Sequence, residues 1–139
     1  IEPAWSPDGA RIAYVAAPDA AGVSGGDAAK AAMARRKIWV MDTYAGGQYG
    51  ANQHPLTNDP EYRDERPQWT ADGSHIVFAR IDADDNVSLW IVSAAGGAPT
   101  PLAHGLPSET QSTPTWFGYY GAVDWGQMFA LWSPPSSPR

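Results

Sequence analysis

The chain contains no cysteine, which excludes disulfide bonds and thiolate metal sites. Basic residues are also scarce: nine Lys and Arg stand against 15 Asp and Glu, and the net charge is −6. Nucleic acid is therefore not an expected partner, because affinity for it comes from neutralising phosphates. No nucleophile, base and orienting acid stand at a spacing that we recognise as catalytic. We predict that the chain is not an enzyme and that it carries no cofactor and no metal.

A long phrase occurs twice in the sequence. Pro3–Tyr14 and Pro67–Phe78 both read Pro-x-Trp-x-x-Asp-Gly-x-x-Ile-x-aromatic, without a gap. Repetition at a period of tens of residues marks an array of equivalent supersecondary units. Within the first copy, Ser6–Gly9 favours a type I turn with Pro second, Asp third and Gly last. The apolar residues that follow each turn predict strands buried on both faces.

Three further features recur in the same order after each phrase. They are a Trp-bearing strand, a double glycine and a short Leu segment, found at Lys37–Asp42, Gly46-Gly47 and Pro55–Thr57 and again at Ser88–Ser93, Gly96-Gly97 and Thr100–Leu102. Each copy therefore predicts a four-stranded antiparallel meander. The residues that define the repeat are Trp5, Asp8, Gly9 and Trp39, then Trp69, Asp72, Gly73 and Trp90.

The spacing of the phrases predicts an insertion in the first unit. Trp5 and Trp69 are 64 positions apart, whereas Trp39 and Trp90 are 51 apart. The surplus falls within residues 18–36, where Asp27 and the helix formers behind it favour a short helix. The insertion is then either a protruding element that touches a partner or a mobile loop. We assign residues 1–66 to unit one, 67–113 to unit two, and 114–139 to a tail or an incomplete third unit.

These phrases resemble the TolB-like, or PD40 (WD40-like), β-propeller repeat, and the resemblance covers roughly residues 1–105. The fold class that it implies is all-β: a partial β-propeller of two clear four-stranded antiparallel blades and a degenerate third segment. Propellers typically close with four to eight blades, and an open stack leaves strand edges unpaired. We therefore expect either a longer propeller or a partner that completes this one.

The resemblance implies a non-catalytic protein-binding or scaffold module. The expected setting is periplasmic or otherwise extracytoplasmic, as an accessory subunit of a membrane protein assembly in a bacterium. Two alternatives stay open, because the fold hosts many functions. One is the propeller portion of a larger serine peptidase of the prolyl-oligopeptidase type. The other is a propeller that binds a small ligand or an ion.

Three polar features are candidate ligand sites. The acidic run Asp82–Asn86 predicts either a Ca²⁺ loop or a charged hairpin tip, and the tip is favoured because the full calcium-loop pattern is missing. The segment Asp59–Arg66 predicts either a ligand-binding loop or, as we prefer, a solvated loop with weak ion pairs. His54 and His104 hold similar places in the two units, which predicts either a metal site shared between the units or, as we prefer, polar turn residues.

The C-terminal segment breaks the repeat and is rich in aromatic residues. Trp125, Met128, Phe129 and Trp132 follow helical spacing, although a pair of strands is the alternative. We predict that this tail docks to a protein partner, with peripheral contact at a membrane interface as a further role for its Trp and Tyr side chains. The predicted partner-binding residues are Trp116, Phe117, Tyr119, Tyr120, Trp125, Met128, Phe129 and Trp132.

Overall fold

The computed structural model of the chain describes residues 1–18, 26–106 and 129–132. It confirms an all-β architecture, with two four-stranded antiparallel sheets of simple order, β1-β2-β3-β4 and β5-β6-β7-β8. The first sheet consists of β1 (Ala4–Trp5), β2 (Arg11–Ala16), β3 (Lys37–Ala45) and β4 (Gln48–Pro55), with helix α1 (Gly26–Met33) between β2 and β3. The second sheet consists of β5 (Arg63–Trp69), β6 (His75–Ile81), β7 (Val87–Ser93) and β8 (Thr100–Leu106).

The Asp-Gly turns of the two sheets share the same hydrogen bonds. Gly9 N donates to Ser6 O at 2.9 Å, as the predicted turn requires, and Ser6 Oγ donates to Asp8 Oδ1 at 2.6 Å. In the second sheet the equivalent hydroxyl, Thr70 Oγ1, donates to Asp72 Oδ1 at 2.6 Å. The final glycine of each turn has a positive φ, a backbone conformation that favours glycine. The repeat read in the sequence is therefore repeated in backbone geometry.

The double glycine of the first unit forms the predicted hairpin turn. Gly46 and Gly47 have φ of 56° and 84° and connect β3 directly to β4, which suits the primed turns that match strand twist. We predicted that the following Leu segment lies in the fourth strand. In the first unit that prediction is wrong, because β4 ends at Pro55. Leu56 and Thr57 lie beyond the strand and are buried. Thr57 Oγ1 accepts a hydrogen bond from Ile38 N at 3.0 Å, which ties this segment to β3.

Each sheet has two faces that differ in their side chains. We call the face that carries the repeat tryptophan the Trp face: it comprises Trp5, Ile12, Tyr14, Trp39 and Met41 in the first sheet and Trp69, Ile76, Phe78, Trp90 and Val92 in the second. We call the opposite face the aliphatic face: it comprises Ala4, Ala13, Val15, Ile38 and Val40 in the first sheet and Gln68, Val77, Ala79, Leu89 and Ile91 in the second. The Trp face of the second sheet packs on the aliphatic face of the first, and this contact forms the main hydrophobic core.

One strand prediction requires correction. β6 is buried along both faces from Ile76 to Ile81, as predicted. In β2, by contrast, only Ala13 and Val15 are buried, and the Trp-face residues Ile12 and Tyr14 are partly exposed. The physical reason is that no sheet lies on the Trp face of the first sheet in the described part of the chain.

The insertion contains a short helix. α1 spans Gly26–Met33 and has Asp27 in its first turn, where a carboxylate complements the helix dipole. Ala32 is nearly buried, at 9% exposure. The described part of the insertion therefore adopts the predicted helix.

Candidate interaction surfaces

The contact between the two sheets is anchored by one indole. Trp69 is 8% exposed, and its Nε1 donates a hydrogen bond of 2.9 Å to the carbonyl oxygen of Ala4. The guanidinium of Arg11 lies over the same ring, 4.9 Å from its centroid. Arg11 Nη1 also donates to Ala94 O at 3.0 Å, so this cation joins the two sheets. A buried indole with its N–H paired and a cation on its face is a strong local anchor.

Trp5 holds the same place in the first sheet but has a different environment. Trp5 pairs with Ile12 as Trp69 pairs with Ile76, yet Trp5 is 60% exposed. The sequence predicted that both indoles pack between sheets, and for Trp5 that prediction is wrong. The indole needs a sheet on its outer side, and the described residues supply none there.

Like Trp5, the other residues of the first Trp face are less buried than the equivalent residues of the second sheet. Ile12, Tyr14 and Met41 are partly exposed, whereas their equivalents Ile76, Phe78 and Val92 are 0%, 0% and 1% exposed. The first Trp face is thus a contiguous apolar surface, and such surfaces mark interaction sites.

Trp39 differs from its equivalent in hydrogen bonding. Trp90 Nε1 donates to Ser88 Oγ at 2.9 Å. At the position equivalent to Ser88 the first sheet has Lys37, whose ammonium cannot accept a hydrogen bond. Trp39 Nε1 is buried and has no partner within the described residues. An unpaired buried N–H group lowers stability. A hydrogen-bond acceptor for Trp39 Nε1 is therefore missing on this face within the described residues.

A buried charge cluster links the sheets at the start of β5. Nη1 of Arg36, the residue directly before β3, lies 2.8 Å from Glu65 Oε1, and Arg63 Nε lies 3.3 Å from the same oxygen. Asp64 and Glu65 are 0% and 2% exposed. Our preferred interpretation of Asp59–Arg66 as a solvated loop holds for residues 59–62, which lie outside the strands. It is wrong for the second half of the segment, because Asp64 and Glu65 belong to β5 and pair with Arg80 and Arg36.

Arg80 occupies the centre of this cluster. It is 3% exposed, and its Nε and Nη2 donate to the two oxygens of Asp64 at 2.8 and 3.1 Å. Its guanidinium carbon also lies 4.6 Å from the ring centroid of Trp90 and 4.8 Å from that of Tyr62. A bidentate pair between aromatic rings fixes orientation strongly, so the cluster positions β5 against β6.

Burial changes proton affinity within the cluster. Burial raises the pKa of Glu65, although Arg63 and Arg36 oppose that rise. Burial also lowers the pKa of Lys37, whose Nζ donates to the carbonyl oxygen of Tyr62. Both shifts follow from removing a charge from water. The contacts of Glu65 with Arg36 and of Lys37 with Tyr62 give these residues a structural role, which is to join the two units.

A groove of about 630 Å³ lies beside this cluster. Its lining includes Glu61, Arg63, Asp82, Asp84 and Asp85. Asp82 is already used by its own hairpin tip: Asp82 Oδ1 accepts from Asp84 N and from Asn86 N at 2.9 Å each. The side-chain hydrogen bond from Asn86 lowers the pKa of Asp82. These bonds are those of the predicted charged hairpin tip between β6 and β7.

No cluster of three or more His, Asp or Glu side chains suited to a metal ion occurs within residues 1–18, 26–106 and 129–132. His54, His75 and His104 are all exposed. His54 lies in β4 and contacts Asn52 O through Nδ1 at 2.8 Å, and His104 lies in β8. Both are polar surface residues, but they lie in strands, so the favoured interpretation of them as turn residues is wrong.

One Ser–His contact lies in the exposed turn before β6. Ser74 Oγ is 2.7 Å from His75 Nδ1 and donates to Asp72 Oδ2 at 2.7 Å. In a serine-hydrolase triad the imidazole takes the serine proton and the carboxylate orients the imidazole. Here the carboxylate takes the serine hydrogen bond instead, and no carboxylate contacts the ring of His75 among the contacts of this turn. The arrangement stabilises the turn.

Sequence reasoning overlooked one hydrolase-like pattern. Gly22-Val23-Ser24-Gly25-Gly26 reads Gly-x-Ser-x-Gly, the pattern that in α/β-hydrolases places a serine on a sharp turn between a strand and a helix. Residues 19–25 lie outside the described part of the chain. The preceding strand, β2, ends at Ala16 and belongs to an antiparallel sheet, and α1 begins only at Gly26. The preceding strand therefore departs from the hydrolase arrangement, and Ser24 is a residue to substitute in a test of catalysis.

The tail is described only at residues 129–132, which form neither helix nor strand. Phe129 packs against Ala79, Ile81 and Val87 on the aliphatic side of the second sheet. Leu131 N donates to Gln68 Oε1 at 3.2 Å, whereas Trp132 is 80% exposed. At Phe129 the chain therefore folds back onto its own second sheet. The other predicted docking residues, Trp116, Phe117, Tyr119, Tyr120, Trp125 and Met128, lie outside the described residues.

No family model matches the chain. It is 30% identical over 107 residues to the uncharacterized peptidase YuxL of Bacillus subtilis (strain 168). The match covers 73% of this chain but only 13% of that peptidase, so the chain spans a small part of the length of this relative. In the part of the chain that the structure describes, no helix is long and apolar enough to span a membrane.

Proposed function

We propose that this chain is a non-catalytic protein-binding module, built as part of a β-propeller, and that the Trp face of the first sheet is its binding surface. One observation carries the proposal: Trp5 is 60% exposed, whereas its equivalent Trp69 is 8% exposed in the contact between sheets. The two stacked sheets, with the Trp69 indole bonded to the Ala4 carbonyl at their contact, support a blade-like assembly. An extracytoplasmic location in a membrane-associated assembly is part of the proposal and rests on the TolB-like resemblance.

The polar groups around this surface support a binding role over a catalytic one. The buried charges are already engaged: Asp64 and Arg80 pair with each other within the second sheet, and Glu65 pairs with Arg36 of the first unit. Ser74 gives its hydroxyl hydrogen to Asp72 rather than to His75. The described residues therefore provide apolar contact area and fixed geometry, which a binding surface requires.

A second candidate function is the propeller portion of a larger serine peptidase. The similarity to YuxL favours it, since that relative is named as a peptidase and is much longer than the matched segment. In this case the Trp face contacts another part of the same polypeptide. The catalytic residues then lie in that other part.

A site-specific photo-crosslinking experiment tests the proposal and separates the two candidates. A benzophenone amino acid replaces Trp5 in the protein expressed from its own gene in its source organism, and Leu102, which is 54% exposed on β8, provides the matched control position. A discrete adduct with a separate polypeptide from position 5, absent from position 102, is the expected result. A crosslink within one polypeptide supports the peptidase candidate, and equal or no crosslinking at both positions contradicts a binding surface at Trp5.

A probe of catalysis complements this experiment. We expect no labelling of the purified chain by a fluorophosphonate, which reacts with activated serines, and no turnover of peptide p-nitroanilides. Labelling that a Ser24→Ala variant abolishes, while a Ser74→Ala variant retains it, would overturn the non-catalytic role.

A further inference from the structure

We infer that two exposed tyrosines at the tip of the β3–β4 hairpin, Tyr44 and Tyr49, bind a proline-rich peptide, and that the occupant is the segment at residues 133–139 of a second copy of this chain. We call these two side chains the tyrosine pair. Tyr44 lies on the opposite side of β3 from Trp39 and Met41, because side chains alternate along a strand. The site is therefore separate from the Trp face, and the inference does not rest on the proposed function.

The tyrosine pair is held in place by the strand ladder. Tyr44 of β3 and Tyr49 of β4 are directly opposite each other, and their ring centroids are 5.0 Å apart with planes inclined at 57°. The two residues are nonetheless 59% and 88% exposed. Because a tyrosine has only two side-chain torsions to fix, it offers a large contact area at a small entropic cost. The pair is thus a preformed aromatic platform that faces solvent.

The repeat does not require these two rings. A cross-strand aromatic pair supports its own hairpin, but the second unit joins its equivalent strands without one. Counted from the repeat tryptophans, Tyr44 corresponds to Ala95, and counted from the double glycines, Tyr49 corresponds to Pro99. Ala95 and Pro99 lie in the loop between β7 and β8. The tyrosine pair is therefore an addition to the first unit, which favours a binding role.

The polar groups beside the tyrosine pair suit a proline-rich ligand. β4 is the edge strand of its sheet and contains no Asp, Glu, Lys or Arg. The exposed Gln48 amide and the two tyrosine hydroxyls are hydrogen-bond donors. Proline lacks an N–H group, and a polyproline II backbone has carbonyl oxygens that make no internal hydrogen bonds. Aromatic rings for the prolines and donors for these carbonyls are what PxxP peptides require of a binding site.

The sequence itself contains such a peptide. Residues 133–139 read Ser-Pro-Pro-Ser-Ser-Pro-Arg, and Pro135 and Pro138 are the only two prolines of the chain at PxxP spacing. These seven residues lie outside the described part of the chain. Arg139 places a positive charge beside Pro138, and Asp42 places a negative charge on the Tyr44 side of β3. The segment and the site are therefore complementary in charge as well as in apolar character.

The position of Leu131 favours docking onto a second copy. Leu131 N bonds to Gln68 Oε1, and Gln68 belongs to the aliphatic face of the second sheet. The first sheet, which carries the tyrosine pair, packs against the opposite face of the second sheet. The second sheet thus separates the segment that follows Leu131 from the tyrosine pair of the same copy. The pair of another copy has no such obstacle.

The test mixes two variants of the full chain. Tyr49→Ala removes the site and keeps the prolines, whereas Pro135→Ala with Pro138→Ala removes the ligand and keeps the tyrosines. We expect concentration-dependent association of the unmodified chain in sedimentation equilibrium, much weaker association of each variant alone, and restored association in an equal mixture, where an intact site meets an intact ligand. An unmodified chain that stays monomeric, variants that associate as it does, or a mixture that fails to associate overturns the inference. Docking within one copy gives the last of these results.

A peptide titration tests the site directly. A fluorescent peptide of residues 133–139 is titrated with the double proline variant, and anisotropy should rise to saturation. Added Tyr49→Ala should weaken binding by about tenfold or more, whereas Tyr49→Phe, which keeps the ring, should retain most of it. Leu102→Ala, at a residue 54% exposed on β8, is the matched control and should bind as its parent does; circular dichroism checks that each variant is folded. Equal weakening by Leu102→Ala, or equal binding of a peptide with alanine at positions 134, 135 and 138, contradicts recognition of prolines by the tyrosine pair.

Discussion

The indole N–H of Trp69 lies 2.9 Å from the carbonyl oxygen of Ala4, and this bond joins the two sheets at the centre of their contact. Ala4 is the neighbour of Trp5, the residue that occupies the Trp69 position in the first sheet. One unit thus presents a carbonyl on one side and a tryptophan on the other. Trp5 is exposed because, among the described residues, a neighbouring sheet contacts the first unit only on its carbonyl side.

Substitution of the two tryptophans should give unequal losses of stability. Trp69→Ala removes a buried ring and should lower the free energy of unfolding by about 3 to 5 kcal/mol. Trp5→Ala removes a ring that is 60% exposed and should cost about 1 kcal/mol or less. Urea unfolding of the two variants measures both values, and equal losses would contradict the assignment of a free face to Trp5.

The repeat made much of the fold predictable from the sequence. Turn residues such as Asp8 and Gly9 have local effects, so their hydrogen bonds follow from the residues themselves. The environment of Trp5 does not follow from local sequence, since it depends on what lies on the other side of the sheet. The same limit applies to β2, whose apolar run is identical in character to that of β6 but is buried on one side only.

The buried ion pair of Arg80 provides a second stability prediction. Asp64→Ala leaves the buried guanidinium without its bidentate partner and should cost about 3 to 5 kcal/mol. Asp59 also faces Arg80, at 3.9 Å, but is 41% exposed, so Asp59→Ala should cost about 1 kcal/mol or less. Thermal or urea unfolding compares the pair, and a larger loss for the Asp59 variant would rule out the central role of Asp64.

The sequence did contain one signal for this cluster. Arg80 stands inside an otherwise apolar strand, and a charged residue there is rarely buried unless it is paired. Its partner Asp64 is 16 residues away, however, and the Arg36 that meets Glu65 is 29 residues away. The mixed charges of the segment indicate a solvated loop when they are considered locally, which explains why this part of the structure was missed.

The Asp-Gly turn should make stability depend on pH in the acid range. The hydrogen bond from Thr70 holds the pKa of Asp72 well below its ordinary value of 3.8, with further bonds from Ser74. A carboxyl whose pKa is lower in the folded state adds stability above about pH 4, and that stability is lost as the pH falls below this value. Asp72→Asn should therefore flatten the acid limb of a stability–pH curve measured by urea unfolding between about pH 2 and 6. Asp84→Asn in the exposed hairpin is the matched control, and a flattening of equal size in that variant would contradict the role of the turn.

The tail offers a matched pair of aromatic residues. Phe129 packs on Ala79, Ile81 and Val87, so Phe129→Ala should destabilise the chain by roughly 1 to 3 kcal/mol. Trp132 is 80% exposed, and Trp132→Ala should leave the unfolding midpoint nearly unchanged. The reverse order in a thermal-unfolding comparison would show that residues 129–132 do not fold onto the second sheet.

The most direct test of the account is solvent exchange of the indole N–H protons of Trp5 and Trp69, measured by NMR on the isolated chain. Both residues hold the same place in the repeat, but only Trp69 Nε1 is bonded to a carbonyl oxygen, that of Ala4. We predict slow exchange for Trp69, which requires opening of the contact between the sheets, and fast exchange for Trp5, as for a free indole. Equal protection of the two protons, or faster exchange at Trp69, would contradict a stacked pair of sheets with its binding face open at Trp5.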